Sequence, residues 1–197
     1  RFVSRGGEKL AGALEDLAVD PAGRACLDVG ASTGGFTDCL LAAGAKSVVA
    51  VDVGYGQLAP RLREDPRVHV RERRNARELS PADLPEPVAL VTVDVSFISV
   101  RLLLPVLVRL APRAEMLVLV KPQFEVGRGR VGKGGVVRDA AFRAQAVRDV
   151  RAAAEALGLV VAGEAESRLP GPKGNREVFL HLSPSLPASG SSPRGVG

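Results

Sequence analysis

The chain has 197 residues, 46% of them hydrophobic, and a formal charge of +5, which suits one domain able to bury a real core. No apolar run approaches the ~18 to 20 residues of a membrane-spanning helix. The start, Arg1-Phe2-Val3-Ser4-Arg5, lacks the apolar stretch of a signal peptide, and two cysteines, Cys26 and Cys39, cannot form a disulfide scaffold. A helical membrane protein, an uncleaved secretory precursor and a disulfide-stapled domain are therefore excluded, and a reducing cytoplasm is the expected location.

With six Phe, one Tyr and no Trp, the core must come from Val, Leu and Ala. Leu10, Leu14 and Leu17 share one face of a first helix within residues 1–17. Ala25 to Val29 is a short apolar run ending in Gly30, and Phe36, Leu40 and Ala43 follow at helical spacing. Val48 to Val53 is a second strand, with a helical stretch at Gln57 to Arg63, and Val68 to Val70 is a third strand. Val88 to Val93 precedes a helix carrying Leu102, Leu103, Val106, Leu107 and Leu110, and Met116 to Val120 is a fifth strand. Asp139 is an N-cap for a long helix whose apolar face runs Phe142, Ala146, Val150, Ala153, Leu157. Leu159 to Ala162 and Val178 to Leu182 close the pattern. Continuous Val/Leu strands alternating with helices predict an α/β, Rossmann-like domain over residues 1–182, its mostly parallel seven-stranded sheet covered on both faces. Ser183 to Gly197, with five Ser, three Pro and three Gly, reads as a disordered tail.

In such a sheet, ligands sit beyond the carboxyl ends of the strands. The first strand ends in Asp28-Val29-Gly30-Ala31-Ser32-Thr33-Gly34-Gly35-Phe36, where glycine lets the backbone approach a ligand. Its spacing matches neither the dinucleotide fingerprint nor the P-loop. Asp52, closing the second strand, can accept both hydroxyls of a ribose, and with the glycine turn it points to an adenosine-containing cofactor. Asp94 and Lys121 each follow an apolar run, so both project from the same sheet edge. A Lys at the end of a buried strand needs a task or a partner, since burying an ammonium is costly. His69 and His181 lack partners for a metal site, and none is expected.

These segments, together with Phe2 to Lys9, Val51 to Leu58, Asp94 to Ser99, Lys121 to Glu125, Gly134 to Asp139 and Gly171 to Glu177, resemble the FtsJ-like ribose 2′-O-methyltransferases that use S-adenosylmethionine. Within that group the chain is similar to the TlyA family of rRNA methyltransferases, sometimes labelled hemolysin A. The resemblance implies a class I methyltransferase fold and a catalytic tetrad of Lys9, Asp94, Lys121 and Glu177. It also implies a cofactor site at Asp28, Gly30, Ser32, Thr33, Gly34, Gly35, Phe36, Asp52, Val53, Asn75, Ala76 and Asp94. Family members carry an N-terminal S4-type RNA-binding domain, which this sequence lacks, so a truncated chain is expected. The implied substrate is a cytidine ribose in 16S or 23S rRNA, reached in ribosomal subunits. Lys121 is assigned to the hydroxyl, either as ammonium or as amine, with Asp94 and Glu177 orienting the two lysines.

From Lys121 to Arg138 there are five basic residues, one acid and five glycines. A mobile basic loop beside the active edge suits phosphate contacts, so Arg128, Arg130, Lys133 and Arg138, extended by Arg5 and Lys173, are candidate RNA-binding residues. Competing readings are a noncatalytic RNA-binding or assembly factor, a cytolysin as the hemolysin label suggests, and a nicotinamide oxidoreductase. An intact tetrad opposes the first, the lack of a membrane segment the second, and the glycine spacing the third.

Overall fold

The computed structural model describes residues 1–185, so the stretch from 186 to 197 of the expected tail lies outside the described residues. Seven strands form one sheet in the order β3-β2-β1-β4-β5-β7-β6. They are β1 Ala25–Val29, β2 Ser47–Val51, β3 Val68–Arg71, β4 Leu90–Val93, β5 Glu115–Val120, β6 Leu159–Glu166 and β7 Val178–Pro184. All pairings among β1 to β5 are parallel, and β7 runs antiparallel to both neighbours. The helices are α1 Arg5–Asp16, α2 Gly35–Ala42, α3 Pro60–Arg63, α4 Leu104–Leu110, α5 Pro122–Glu125 and α6 Ala140–Ala156.

Strand side chains alternate between two cores. Cys26, Val48, Leu117 and Leu119 pack under α1 and α2 with Leu10, Leu14, Phe36 and Leu40. Leu27, Val29, Val91, Val118 and Leu180 face α4 and α6 with Leu104, Leu107, Ala146 and Val150. Two helical layers thus sandwich the sheet, the arrangement that the double-sided burial of β1, β2 and β4 requires.

Several boundaries differ from expectation for identifiable reasons. The helix expected at Gln57 to Arg63 starts only at Pro60, since proline favours the first helical turn. The helix expected to carry Leu102 begins at Leu104, behind a 3-10 turn at Val100–Leu102. β6 runs on to Glu166, beyond the expected Ala162, since past Leu159 its residues alternate between exposed and half-buried rather than forming an apolar run. β7 continues through Ser183 and Pro184, which pair with Val160 and Leu159, so two residues expected in the tail belong to the sheet. Asp139 caps α6 as expected, accepting from the Ala141 N–H at 2.7 Å.

Candidate active site

The β1–α2 turn, the β2 end and the β4 end meet at the carboxyl edge of the sheet. Gly30, at φ 85, packs so closely on β4 that a Cβ would stand 2.1 Å from the Asp94 carbonyl oxygen. Only glycine fits, and its place brings the turn against Asp94. Ser32 holds a left-handed φ of 51, and its N–H donates to Asp52 Oδ2 at 2.7 Å. The Gly54 N–H donates to Asp52 Oδ1 at 2.7 Å, which fixes the carboxylate at the rim of a cavity of about 460 Å³. Val53, Asn75 and Ala76 line one side of this cavity, and Val95, Ser96, Phe97 and Ile98 line the other. A second cavity of about 580 Å³ adjoins it, sharing Gly30, Ser32 and Asp94, and is walled by Thr33, Gly35, Phe36, Lys9, Lys121 and the Pro170–Pro172 turn.

Two expected cofactor residues do not reach these cavities. Asp28 is fully buried, accepting from Thr37 Oγ1 at 2.7 Å and Thr92 Oγ1 at 3.2 Å, so it ties β1 to α2 and β4 rather than facing a ligand. Its carboxyl pKa is pushed up to about 7, chiefly by burial, with the two threonine hydroxyls pulling the other way. Gly34 faces α3, where a Cβ would meet Leu62 at 2.4 Å.

The four polar residues of the expected tetrad converge as two ion pairs. Lys9 Nζ, on α1, lies 2.6 Å from Glu177 Oε2 just ahead of β7, although 168 positions separate the two in sequence. Lys121 Nζ, at the end of β5, lies 2.5 Å from Asp94 Oδ1 and donates to Ser96 Oγ at 3.2 Å. The Asp94 contact is a charge pair rather than an aligned hydrogen bond, as that oxygen lacks a well-directed donor. Both lysines are 8% exposed and line the same cavity, and Glu177 is wholly buried beneath it. Glu177 Oε1 has no hydrogen-bond partner, and Gly171 presses against the same carboxylate. Residue spacing alone could not have paired Lys9 with Glu177.

The basic loop is docked rather than free. Asn175, only 2% exposed, accepts from the Val137 N–H at 3.1 Å and donates to the Gly135 carbonyl at 2.9 Å. Arg143 donates to the carbonyls of Val137 and Arg138. Arg130 lies over the Phe142 ring at 5.0 Å, so this candidate RNA contact already has an intramolecular partner. Arg128, Lys133, Arg138 and Lys173 are exposed, and Arg5 lines the larger cavity while donating to the Pro170 carbonyl at 3.3 Å. Neither Ser96 nor Asn175 is among the expected site residues. For Asn175 the sequence signal is an amide side chain directly after the Gly171-Pro172-Lys173-Gly174 turn.

Comparison with known proteins matches residues 2–183 to the FtsJ-like methyltransferase family. The chain is 58% identical over 182 residues to the 16S/23S rRNA (cytidine-2′-O)-methyltransferase TlyA of Mycobacterium tuberculosis, spanning 92% of this chain and 68% of that protein. It is 41% identical to Hemolysin A of Brachyspira hyodysenteriae, spanning 92% of this chain and 77% of the relative. Among solved structures, a protein described as a hemolysin from Lactococcus lactis superposes with a TM-score of 0.91 at 43% identity, covering 94% of this chain and 89% of that one.

Proposed function

Since the chain belongs to the FtsJ-like methyltransferase family, we propose that it moves a methyl group from S-adenosylmethionine to a cytidine 2′-hydroxyl of ribosomal RNA at Lys121. The observation that carries this reading is the pair of lysines, each held by its own carboxylate, in one cavity that adjoins a second cavity of about 460 Å³ lined by Asp52. The relative at 58% identity is named for that reaction on 16S and 23S rRNA.

The residues present suit the cofactor. Asp52 offers a fixed carboxylate for a ribose diol, while Ile98, Val51 and Leu103 give the same cavity an apolar wall for a purine. The adjoining cavity leaves room for the amino-acid end beside Thr33 and the start of α2. S-adenosylmethionine supplies an activated methyl on a sulfonium, which leaves as a neutral thioether.

A ribose hydroxyl is a weak nucleophile that stays protonated near neutral pH. Methyl transfer is an in-line displacement, so the protein must align the reactants and receive one proton. Lys121 meets the hydroxyl oxygen and stabilises the charge that develops on it. The Lys121–Asp94 pair is net neutral before the reaction and carries the hydroxyl proton after it. Lys9, held by Glu177, adds a second positive charge on the acceptor side. Ser96 fixes the direction of the Lys121 ammonium. Arg128, Lys133, Arg138, Lys173 and Arg5 serve the RNA phosphates, and base choice falls to contacts outside these residues.

The reading places the protein in the cytoplasm with its substrate, in keeping with two free, buried cysteines. Despite the hemolysin names among relatives, no helix among the described residues is long and apolar enough to cross a membrane.

The test is transfer of a radiolabelled methyl from the cofactor to isolated ribosomal subunits, followed by alkaline digestion of the RNA. A 2′-O-methyl blocks alkaline cleavage, so label in an alkali-resistant dinucleotide containing cytidine supports the reading. Label confined to a base, or no transfer at all, contradicts it.

A further inference from the structure

Glu125 ends the short helix that follows Lys121, and the methyl-transfer scheme gives it no part. Its side chain is 1% exposed. Burial pushes its pKa up, against hydrogen bonds from Ser99 and Val100 that pull it down. Enclosing a carboxylate so fully is costly unless its oxygens are well used, and here they are. Ser99 Oγ donates to Oε2 at 2.6 Å, the Val100 N–H donates to Oε1 at 2.8 Å, and Arg101 Nε approaches Oε2 at 3.3 Å.

All three donors lie at the far end of the loop that begins with Asp94. The near end is held by Lys121 through Asp94 and Ser96. One five-residue turn, 121–125, therefore grips both ends of the 94–101 loop. Between the grips stands Phe97, 91% exposed and at a φ of 67, a conformation that a bulky residue keeps only when its surroundings impose it. The same stretch supplies Val95, Ser96 and Ile98 to the wall opposite Asp52.

We propose that Glu125 is a positioning residue for methyl transfer: by clamping residues 99–101 it keeps Asp94 and Ser96 on Lys121 and holds the loop against the cofactor cavity. The proposal rests on the reading of Lys121 and Asp94 as the acceptor-side pair. Glu125 touches neither substrate nor cofactor and acts through the loop alone.

Hydrogen exchange and methyl transfer to ribosomal subunits, measured on Glu125→Ala and Glu125→Gln beside the wild type, separate the outcomes. In Glu125→Ala, amides of 95–101 should exchange about tenfold faster while β1 and β5 stay protected. Its kcat should fall about tenfold or more, with KM for RNA changed by less than about threefold. Glu125→Gln keeps an acceptor for the Val100 N–H, but Ser99 Oγ, which already accepts from Arg101, gains no place for an amide donor, so both readouts should fall between those of wild type and Glu125→Ala. Unchanged kcat or unchanged loop exchange in Glu125→Ala overturns the proposal. So does a Glu125→Gln variant as slow as Glu125→Ala, or equal loss of protection in β1 and β5, which would mark a residue that only supports the fold. A wild type that transfers no methyl to RNA defeats the functional reading instead, and the clamp is then judged by the exchange pattern alone.

Discussion

Replacing Gly171 by Ala perturbs the Lys9–Glu177 pair without touching either charge. Gly171 sits at φ −72 and ψ −175, a backbone conformation open to any residue, so alanine meets no strain there. Its Cβ, however, would stand 2.0 Å from Glu177 Oε1 and 2.5 Å from Cδ. Glu177 is wholly buried, and its carboxylate must retreat by more than 1 Å, on the order of the tolerance of an ion pair, to regain van der Waals distance. Breaking a buried pair costs about 3–5 kcal/mol, and removing a glycine from the unfolded chain returns about 0.4–1 kcal/mol. Lys9 keeps a little solvent access, so a net loss near 2–3 kcal/mol is expected, or roughly 4–12 °C in Tm for a domain of this size. Displacing a positioned group by ~1 Å can cost about a hundredfold in rate, so single-turnover methyl transfer should fall by about that factor. Cofactor affinity, read by calorimetry, should change far less, because Asp52 and its cavity lie on the other side of Asp94. Wild-type turnover with a wild-type melting curve would refute the claim that the Glu177 carboxylate must stay where it is.

Asp28 gives a pH signature of unusual sign. Its folded pKa of about 7 exceeds its ordinary 3.8, so between those values the folded chain holds a proton that the unfolded chain releases. Stability from this group is therefore present at low pH and lost as pH rises towards 7, by up to roughly 4 kcal/mol. The wild type minus Asp28→Asn difference in urea unfolding should show that decline, and a flat difference would show that Asp28 is not buried with its proton. Asn175→Ala leaves the buried Val137 N–H without an acceptor and should cost about 1–3 kcal/mol while raising KM for RNA more than the cofactor Kd. Equal changes in both constants would argue against loop docking. If about four basic side chains reach phosphates, raising salt from about 50 to 200 mM should weaken RNA binding roughly fiftyfold with little change in cofactor affinity. Filter binding across that range tests it, and a flat RNA curve would contradict the charge argument.

The sheet could be read from the chain because β1, β2, β4 and β5 are buried on both faces and so written as mostly apolar runs rather than as alternating ones. The outer half of β6 is not legible in the sequence because an edge strand alternates, and Gly163, Glu164 and Glu166 mask the pattern. Asp94 and Lys121 stood out for the same reason that the strands did: a charge directly after an apolar run is conspicuous. Asp28, expected at the cofactor from its motif and the family resemblance, is instead enclosed inside β1. A carboxylate next to a glycine turn looks the same in sequence whether it faces a ligand or, as here, two threonine hydroxyls. The Lys9–Glu177 contact depends on α1 packing beside the β6–β7 connection, a tertiary fact that residue spacing does not encode and that only the family resemblance supplied. The five glycines of the basic loop predict mobility, and the side chains that anchor it, Asn175 and Arg143, lie outside it in sequence.

The most direct test removes the ammonium at the end of β5. Lys121→Ala should bind S-adenosylmethionine within about tenfold of wild type, since Asp52 and the glycine turn are untouched, yet transfer no detectable methyl to ribosomal RNA. Turnover close to wild type in that variant, with the label still on a 2′-oxygen, would show that the acceptor hydroxyl is handled elsewhere.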